Sequence, residues 1–101
     1  MALTVIVTRD VLDRTRGFLG SVMLEVAVGV YISPKMTPGV RERVASVLTE
    51  WHQAEPTGGI VIVWRDIDLP GGVGVKQIGE ATRELVELDG LLLVRRTPRH
   101  D

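Results

Sequence analysis

Cysteine and long apolar runs are both missing from this chain of 101 residues, and each absence removes a class of protein. Without cysteine there is no disulfide framework, no thiolate metal site and no cysteine nucleophile. No segment reaches the roughly 18 apolar residues that a membrane-spanning helix needs, and the first residues lack the basic leader of a secretory signal. We therefore expect a cytoplasmic protein without a membrane partner.

Aromatic residues and excess positive charge are also scarce. Only 4% of the residues are aromatic while 45% are hydrophobic, so we expect an aliphatic core. The 12 Lys and Arg are balanced by 13 Asp and Glu, which excludes a uniformly basic nucleic-acid-binding surface. The arginines are nevertheless clustered near positions 9–16, 41–43 and 95–99, so their distribution is a better guide to an anionic partner than the net charge is.

No residue pattern typical of nucleophilic catalysis or of a phosphate-binding loop is present. His52 and His100 have no spacing that suggests an acid–base pair or a metal site, and no serine lies in a Gly-x-Ser-x-Gly elbow. The segment Gly71-Gly72-Val73-Gly74 is not followed by a helix start or by Lys-Ser/Thr. Its composition predicts a hairpin turn instead.

Five short apolar segments have the composition of β-strands and no helical spacing. In chain order they are Leu3–Thr8, Ala27–Ile32, Ile60–Trp64, Val73–Ile78 and Leu91–Val94. Ser33-Pro34 is expected to end the second strand, because proline cannot donate to a strand ladder. The fourth segment is expected to pair with the third as a hairpin. Glu80–Leu88 is compatible with a short helix, and Asp89-Gly90 predicts a turn before the fifth strand.

Two longer helices are predicted between these strands. The first begins after Asp10 as its N-cap and carries an apolar stripe as far as Val26. Gly17 and Gly20 weaken this helix, so we expect a neighbouring backbone or a partner to lie at close range there. The second begins at Thr37-Pro38, the pattern of a threonine N-cap followed by proline at the first helical position.

This order of elements predicts an α+β fold in which two helices cover one face of a sheet. The chain has the length of one domain, which we place at residues 1–97, with a flexible tail at 98–101. Because several strands are apolar at consecutive positions, the uncovered sheet face is expected to be too apolar for solvent. We infer that two copies associate sheet to sheet as a homodimer.

Arg14 and Arg16 lie at the start of the first predicted helix. Residues two apart are separated by about 200° around a helix, so the two side chains cannot share one anion. They are placed to contact successive phosphates of a nucleic acid, and a homodimer would double that set. The alternative is that both are ordinary solvated surface charges.

Asp10 is the one acidic residue at the end of a strand predicted to be central. Two copies near a dimer axis would offer oxygen ligands to one divalent cation, which is how a small protein can cleave a phosphodiester. Asp10 is therefore the candidate catalytic and metal-binding residue. The alternative is the helix N-cap already described.

Four short motifs occur in order along the chain: Arg14-x-Arg16-Gly17, Leu24-Glu25-Val26, Gly29-Val30-Tyr31 and Leu88-Asp89-Gly90-Leu91. Together they resemble the small CRISPR-associated adaptation protein of the second Cas (Cas-two) family, in its type I-E branch. The resemblance covers the chain from Leu3 to Thr97.

The resemblance implies a ferredoxin-like domain that forms a homodimer, in which the last strand completes the sheet of the other subunit. It also implies a position between two dimers of the Cas-one integrase. There the homodimer supports double-stranded prespacer DNA while the integrase performs strand transfer. Such a scaffold requires no cofactor.

The resemblance also assigns roles to particular residues. Arg14, Arg16, Lys35 and Arg83 are implied to bind DNA, although Lys35 is offset from the usual lysine and Thr82 replaces a second arginine. The last strand and the two residues after it are implied to dock on the integrase. They are Leu91, Leu92, Leu93, Val94, Arg95 and Arg96.

Two functions from different classes follow. The first is the non-catalytic scaffold, and the second is an endonuclease that cleaves RNA or DNA with Mg²⁺ or Mn²⁺, as relatives in other branches are described. Arg9 stands where this branch carries a glutamate, and Asp10 follows one residue later, which weakens the nuclease alternative. A small-molecule-binding module would follow from fold analogy alone, and no polar pocket-lining residues motivate it.

Overall fold

The computed structural model describes residues 2–79, 84–88 and 91–95. The two helices among these residues are α1 (Asp13–Val22) and α2 (Pro38–Ala54). The strands are β1 (Ala2–Arg9), β2 (Leu24–Ala27), β3 (Val30–Met36), β4 (Gly59–Arg65), β5 (Val73–Gly79), β6 (Glu84–Leu88) and β7 (Leu91–Arg95). A short 3₁₀ turn at Pro70–Gly72 leads into β5.

The first five strands form one antiparallel sheet in the order β2-β3-β1-β4-β5, and β6 and β7 form a separate antiparallel pair. This arrangement confirms the predicted α+β fold of the ferredoxin-like kind, with β1 at the centre of the sheet. The β4–β5 hairpin and the strand at Leu91–Val94 are confirmed as well. No helix among the described residues is long and apolar enough to cross a membrane.

Side chains of β1 alternate between the two faces of the sheet, as strand geometry requires. Thr4 and Ile6 are fully buried, whereas Leu3 is 50% and Val7 is 42% exposed. The buried face lies against the helices and holds the aliphatic core. Its largest fully buried members are Tyr31, Ile6, Leu19, Leu48 and Ile62.

The N-terminus of α2 is the one that the sequence predicts. The hydroxyl of Thr37 accepts a hydrogen bond from the backbone N–H of Val40 at 3.2 Å, and Pro38 occupies the first turn. The N-cap predicted for α1 is wrong, because α1 begins after Leu12 and has no side-chain cap. Asp10 instead adopts a positive φ of 55°, which turns the chain two residues before the cap position.

The segment after α1 differs most from the prediction. The helix ends at Val22, and Leu24–Ala27 is an additional strand that pairs with β3. Strand β3 then runs to Met36 through Pro34, where the prediction ends it at residue 32. Its register with β1 shifts there, so that a bulge accommodates the proline without interrupting the pairing on either side.

Among the described residues, Gly17 and Gly20 have no neighbouring element of the same chain at close range, because nothing outside α1 lies within 4 Å of a Cβ built on either residue. That a partner lies there stays a prediction. The short helix predicted near the end of the chain is wrong, because Glu84–Leu88 is strand β6 paired with β7. The predicted turn at Asp89-Gly90 and the tail at 98–101 lie outside the described residues.

The face of the sheet opposite the helices carries an unbroken aliphatic row. Across all five strands, cross-strand partners place one aliphatic residue beside the next, in the order Leu24, Ile32, Val5, Val63 and Val75. A groove of about 540 Å³ continues this surface towards the 3₁₀ turn and is lined by Leu3 and Ile67 among others. The expected apolar character of the uncovered face is therefore confirmed.

Candidate nucleic-acid interface

Arg14 projects from the first turn of α1 towards the last turns of α2. Its guanidinium lies 4.3 Å above the centre of the Trp51 ring. Phe18 contacts the same indole edge to face, with ring centroids 5.3 Å apart. This stacking fixes the plane of an otherwise flexible side chain and leaves the N–H donors along the guanidinium edge accessible.

Arg16 lies on another side of α1 and faces β2. Its Nη2 atom is 3.9 Å from Oε2 of Glu25, and the two side chains are 45% and 39% exposed. The same carboxylate oxygen accepts a hydrogen bond from the backbone N–H of Gly29 at 3.2 Å. The β2–β3 turn therefore orients Glu25, and Glu25 in turn orients Arg16.

The two arginines contact different elements, as their spacing on one helix predicts. Arg14 lies against α2 and Arg16 lies beside β2, so each presents its donors to a separate position along a ligand. This geometry suits an extended polyanion better than a single small anion, because successive phosphates are themselves spaced apart.

The other residues implied in DNA binding are placed less fully. Lys35 is exposed on β3, in the bulged segment rather than in the loop predicted there. It lies four residues beyond Tyr31, which corresponds to roughly 13 Å along an extended strand. Arg83 and Arg96 lie outside the described residues. The implied docking residues Leu91, Leu92, Leu93, Val94 and Arg95 form β7, whose backbone lies beside the 3₁₀ turn.

Asp10 is at the end of the central strand, as predicted, but its surroundings do not fit a metal site within one chain. Its side chain is 86% exposed, and its nearest charged partner is the guanidinium of Arg9 at 4.0 Å. That cation opposes the binding of a second one. Among the described residues, no three His, Asp or Glu side chains are grouped so that they could hold a metal ion.

Tyr31 is fully buried beneath this interface, and its hydroxyl oxygen has no hydrogen-bond partner among the described residues. Burial raises the pKa of Tyr31 above the ordinary value of 10.0, and the Glu25 carboxylate nearby raises it further. Arg16 acts in the opposite direction. The neutral phenol is therefore the form that the fold accommodates.

This shift predicts a loss of stability in alkaline solution. The contribution of neutral Tyr31 to the free energy of unfolding is fully present below pH 10. It is lost as the pH rises through the raised pKa of Tyr31 in the folded protein. We expect the free energy of unfolding, measured by urea titration, to fall less steeply above about pH 10 in Tyr31→Phe than in the parent. If the hydroxyl were solvated in the folded protein, the free energy of unfolding would fall equally steeply in Tyr31→Phe and in the parent.

Two contributors to the interface were not identified from the sequence. Trp51 lies beneath Arg14, in contact with its guanidinium. Glu25 was recognised only as part of a motif, and its contacts with Arg16 and Gly29 follow from the additional strand β2. No spacing in the sequence reports either kind of contact.

The fold and the arginine-bearing helix define a class, the small α+β domains of the ferredoxin-like kind. A family model described as CRISPR-associated protein (Cas_Cas2CT1978) matches residues 3–93. The chain belongs to this Cas-two-type family, and its role is therefore in CRISPR adaptation. The resemblance to the second Cas family is confirmed.

Proposed function

We propose that the protein is a non-catalytic scaffold of CRISPR spacer acquisition, of the type I-E kind. In this proposal a homodimer binds double-stranded prespacer DNA and bridges dimers of the Cas-one integrase. The observation that carries it is the pair Arg14 and Arg16, which lie at exposed positions of α1 against Trp51 and Glu25 respectively. Asp10 offers no comparable basis for cleavage, because its ion-pair partner is the cationic Arg9.

The homodimer is supported by the uncovered face of the sheet. An aliphatic row that crosses all five strands is an unusually apolar surface for solvent, since antiparallel sheets with one solvated face normally alternate apolar and polar residues. A second copy of the chain is the occupant that matches it, because the same flat apolar face then covers itself through a two-fold axis.

Docking on the integrase is supported by the β6–β7 pair. These strands hydrogen-bond with each other and not with the five-stranded sheet. An isolated two-stranded hairpin is at best marginally stable in water, so it gains most from a further surface. The hairpin is therefore the segment that we assign to the integrase and to the partner subunit.

The dimer interface is tested by a matched pair of substitutions. Val7 on the open sheet face is 42% exposed and Val40 on α2 is 43% exposed, so lysine at either position starts from the same exposure. Light scattering should give twice the chain mass of 11.1 kDa for the parent and for Val40→Lys. Val7→Lys should give the mass of a single chain, because it buries an unpaired charge between two sheets. A dimeric Val7→Lys protein would place the interface elsewhere.

The scaffold role is tested by mixing the protein with the integrase and a forked duplex. We expect a single particle that contains four integrase subunits, one dimer of this chain and the DNA, by light scattering after gel filtration. A dimer that binds neither component would contradict the proposal.

A further inference from the structure

Both tryptophans of the chain lie beneath an arginine. Arg14 stacks on Trp51, and Arg41 stacks on Trp64 with the same separation of 4.3 Å between the guanidinium carbon and the ring centre. Trp51 and Arg41 are both on α2, ten residues apart, which corresponds to about 15 Å along the helix axis. The second stack is therefore at the opposite end of α2 from the first.

The sheet beneath Arg41 is shaped to receive the indole. Trp64 on β4 pairs with Gly74 on β5, and a Cβ built on Gly74 would overlap the indole ring. The ring thus lies flat across the glycine, with Arg41 on its other side. Lys76 follows two residues along β5, so it is on the same face, beside the buried Ile62.

These residues enclose a groove of about 320 Å³ between α2 and the edge strand β5. Arg41, Lys76, Ser46 and Trp64 line it, and Ala45 and Ile62 add apolar surface. Among residues 3–79, Glu42 is the one carboxylate that contributes to the lining. Among the side chains of residues 3–79, the ion pairs are Arg9–Asp10 and Arg16–Glu25. Within that range, neither Arg41 nor Lys76 forms an ion pair with a carboxylate.

We propose that the groove formed by Arg41, Lys76, Ser46 and Trp64 is a second phosphate-binding site, distinct from the Arg14 and Arg16 edge. A guanidinium held flat on an indole presents its fork of N–H donors edgewise, in the geometry that binds two phosphate oxygens. Lys76 adds a second positive charge, and Ser46 adds a hydroxyl donor. The groove volume suits one nucleotide unit.

The phosphate can come from a duplex backbone or from a free nucleotide, and the chemistry of recognition is the same. The duplex source rests on the proposed DNA-binding function, whereas the free-nucleotide source does not. Trp64 is a built-in reporter for both, because its Nε1–H is buried without a hydrogen-bond partner among the described residues. A ligand that moves Arg41 relative to the indole changes the environment of the Trp64 Nε1–H directly.

The test is a nuclear magnetic resonance titration of the ¹⁵N-labelled protein, in which the two tryptophans give two indole signals. Trp51→Phe assigns them. The probes are a short duplex of random sequence and deoxyguanosine monophosphate, added separately. We expect the Trp64 signal to shift in a saturable manner with at least one probe, and the shift to be abolished in Arg41→Gln and in Lys76→Gln.

Arg43→Gln is the matched control, since Arg43 is an exposed arginine on the same helix but does not line the groove. It should retain the Trp64 shift. With duplex as the active probe, Arg41→Gln should also weaken binding about three- to tenfold and lower the salt slope by about one for each phosphate that it no longer neutralises.

The outcomes separate the two proposals. A duplex that moves the Trp51 signal alone, with no response of Trp64 to either probe, overturns the second site and leaves the DNA-binding function intact. A Trp64 shift with the mononucleotide alone supports the site and identifies a free nucleotide as its ligand. Shifts that survive Arg41→Gln and Lys76→Gln overturn the assignment of the site to these residues.

Discussion

Gly58→Ala is expected to lower the stability of the protein by more than any of the other substitutions proposed above. Gly58 has a φ of +71°, and a Cβ built on it would overlap the carbonyl oxygens of Arg9 and Asp10. These are backbone atoms at the end of the central strand, so no side-chain rotation relieves the overlap. We expect a loss on the order of 3 kcal/mol, from positive φ and displaced backbone together.

Thermal unfolding at fixed protein concentration measures this effect, and a loss of that size corresponds to a melting temperature lower by roughly 10–20 °C in a domain of this length. Gly39→Ala is the control, because Gly39 lies in the first turn of α2 with no atom within 4 Å of a built Cβ. It should be neutral or stabilising by up to about 1 kcal/mol. Equal melting temperatures for the two variants would contradict the close approach of Gly58 to β1.

The same junction shows where a sequence pattern fails. An acidic residue just before a helical stripe is a standard N-cap signal, and Asp10 satisfies it. The chain instead turns at Asp10 and begins α1 three residues later, at Asp13, because the loop at Gly58 packs against the Arg9 and Asp10 carbonyls. A tertiary contact between distant segments decides the local structure, and no local pattern reports it.

Longer elements with one clear period were predictable. The cap, first turn and apolar face of α2 follow from Thr37-Pro38 and from helical spacing, and β4 and β5 follow from apolar runs separated by a glycine-rich turn. The segment from residue 23 to residue 36 was predictable only at residues 30–32, where the expected strand overlaps β3, since Met23 and Val26 fit a helical period as well as a strand. Strand β2 has only four residues, too few for alternation to decide.

The arginines of the candidate interface were predictable, whereas the contacts that orient them were not. Arg14 and Arg16 were identified from sequence, and the family match supports the resemblance that gave them a role. The contacts that fix their orientation come from Trp51 on α2 and Glu25 on β2. Both depend on how elements that are separate in sequence pack together, and β2 was not predicted at all.

The largest functional effect is expected from Arg14→Gln combined with Arg16→Gln. If both arginines of each subunit bind phosphates, the double variant leaves up to about four phosphates per dimer without a cation. The dependence of log K on log salt should then flatten by as much as about 3 to 4, since each neutralised phosphate contributes about 0.9. Fluorescence anisotropy of a labelled duplex over a potassium chloride series measures this slope. Arg43→Gln removes one positive charge per subunit elsewhere on the surface and should lower the slope little.

The single variants are expected to differ, because the two arginines have different neighbours. Arg14→Gln leaves Trp51, a neutral ring, whereas Arg16→Gln leaves the Glu25 carboxylate facing the DNA without its partner. Arg16→Gln should therefore weaken duplex binding more, and adding Glu25→Gln should recover part of the loss by removing the repulsion. An unchanged salt slope in the double arginine variant would remove both residues from the interface. Equal affinities for Arg16→Gln with and without Glu25→Gln would show that the carboxylate does not face the DNA.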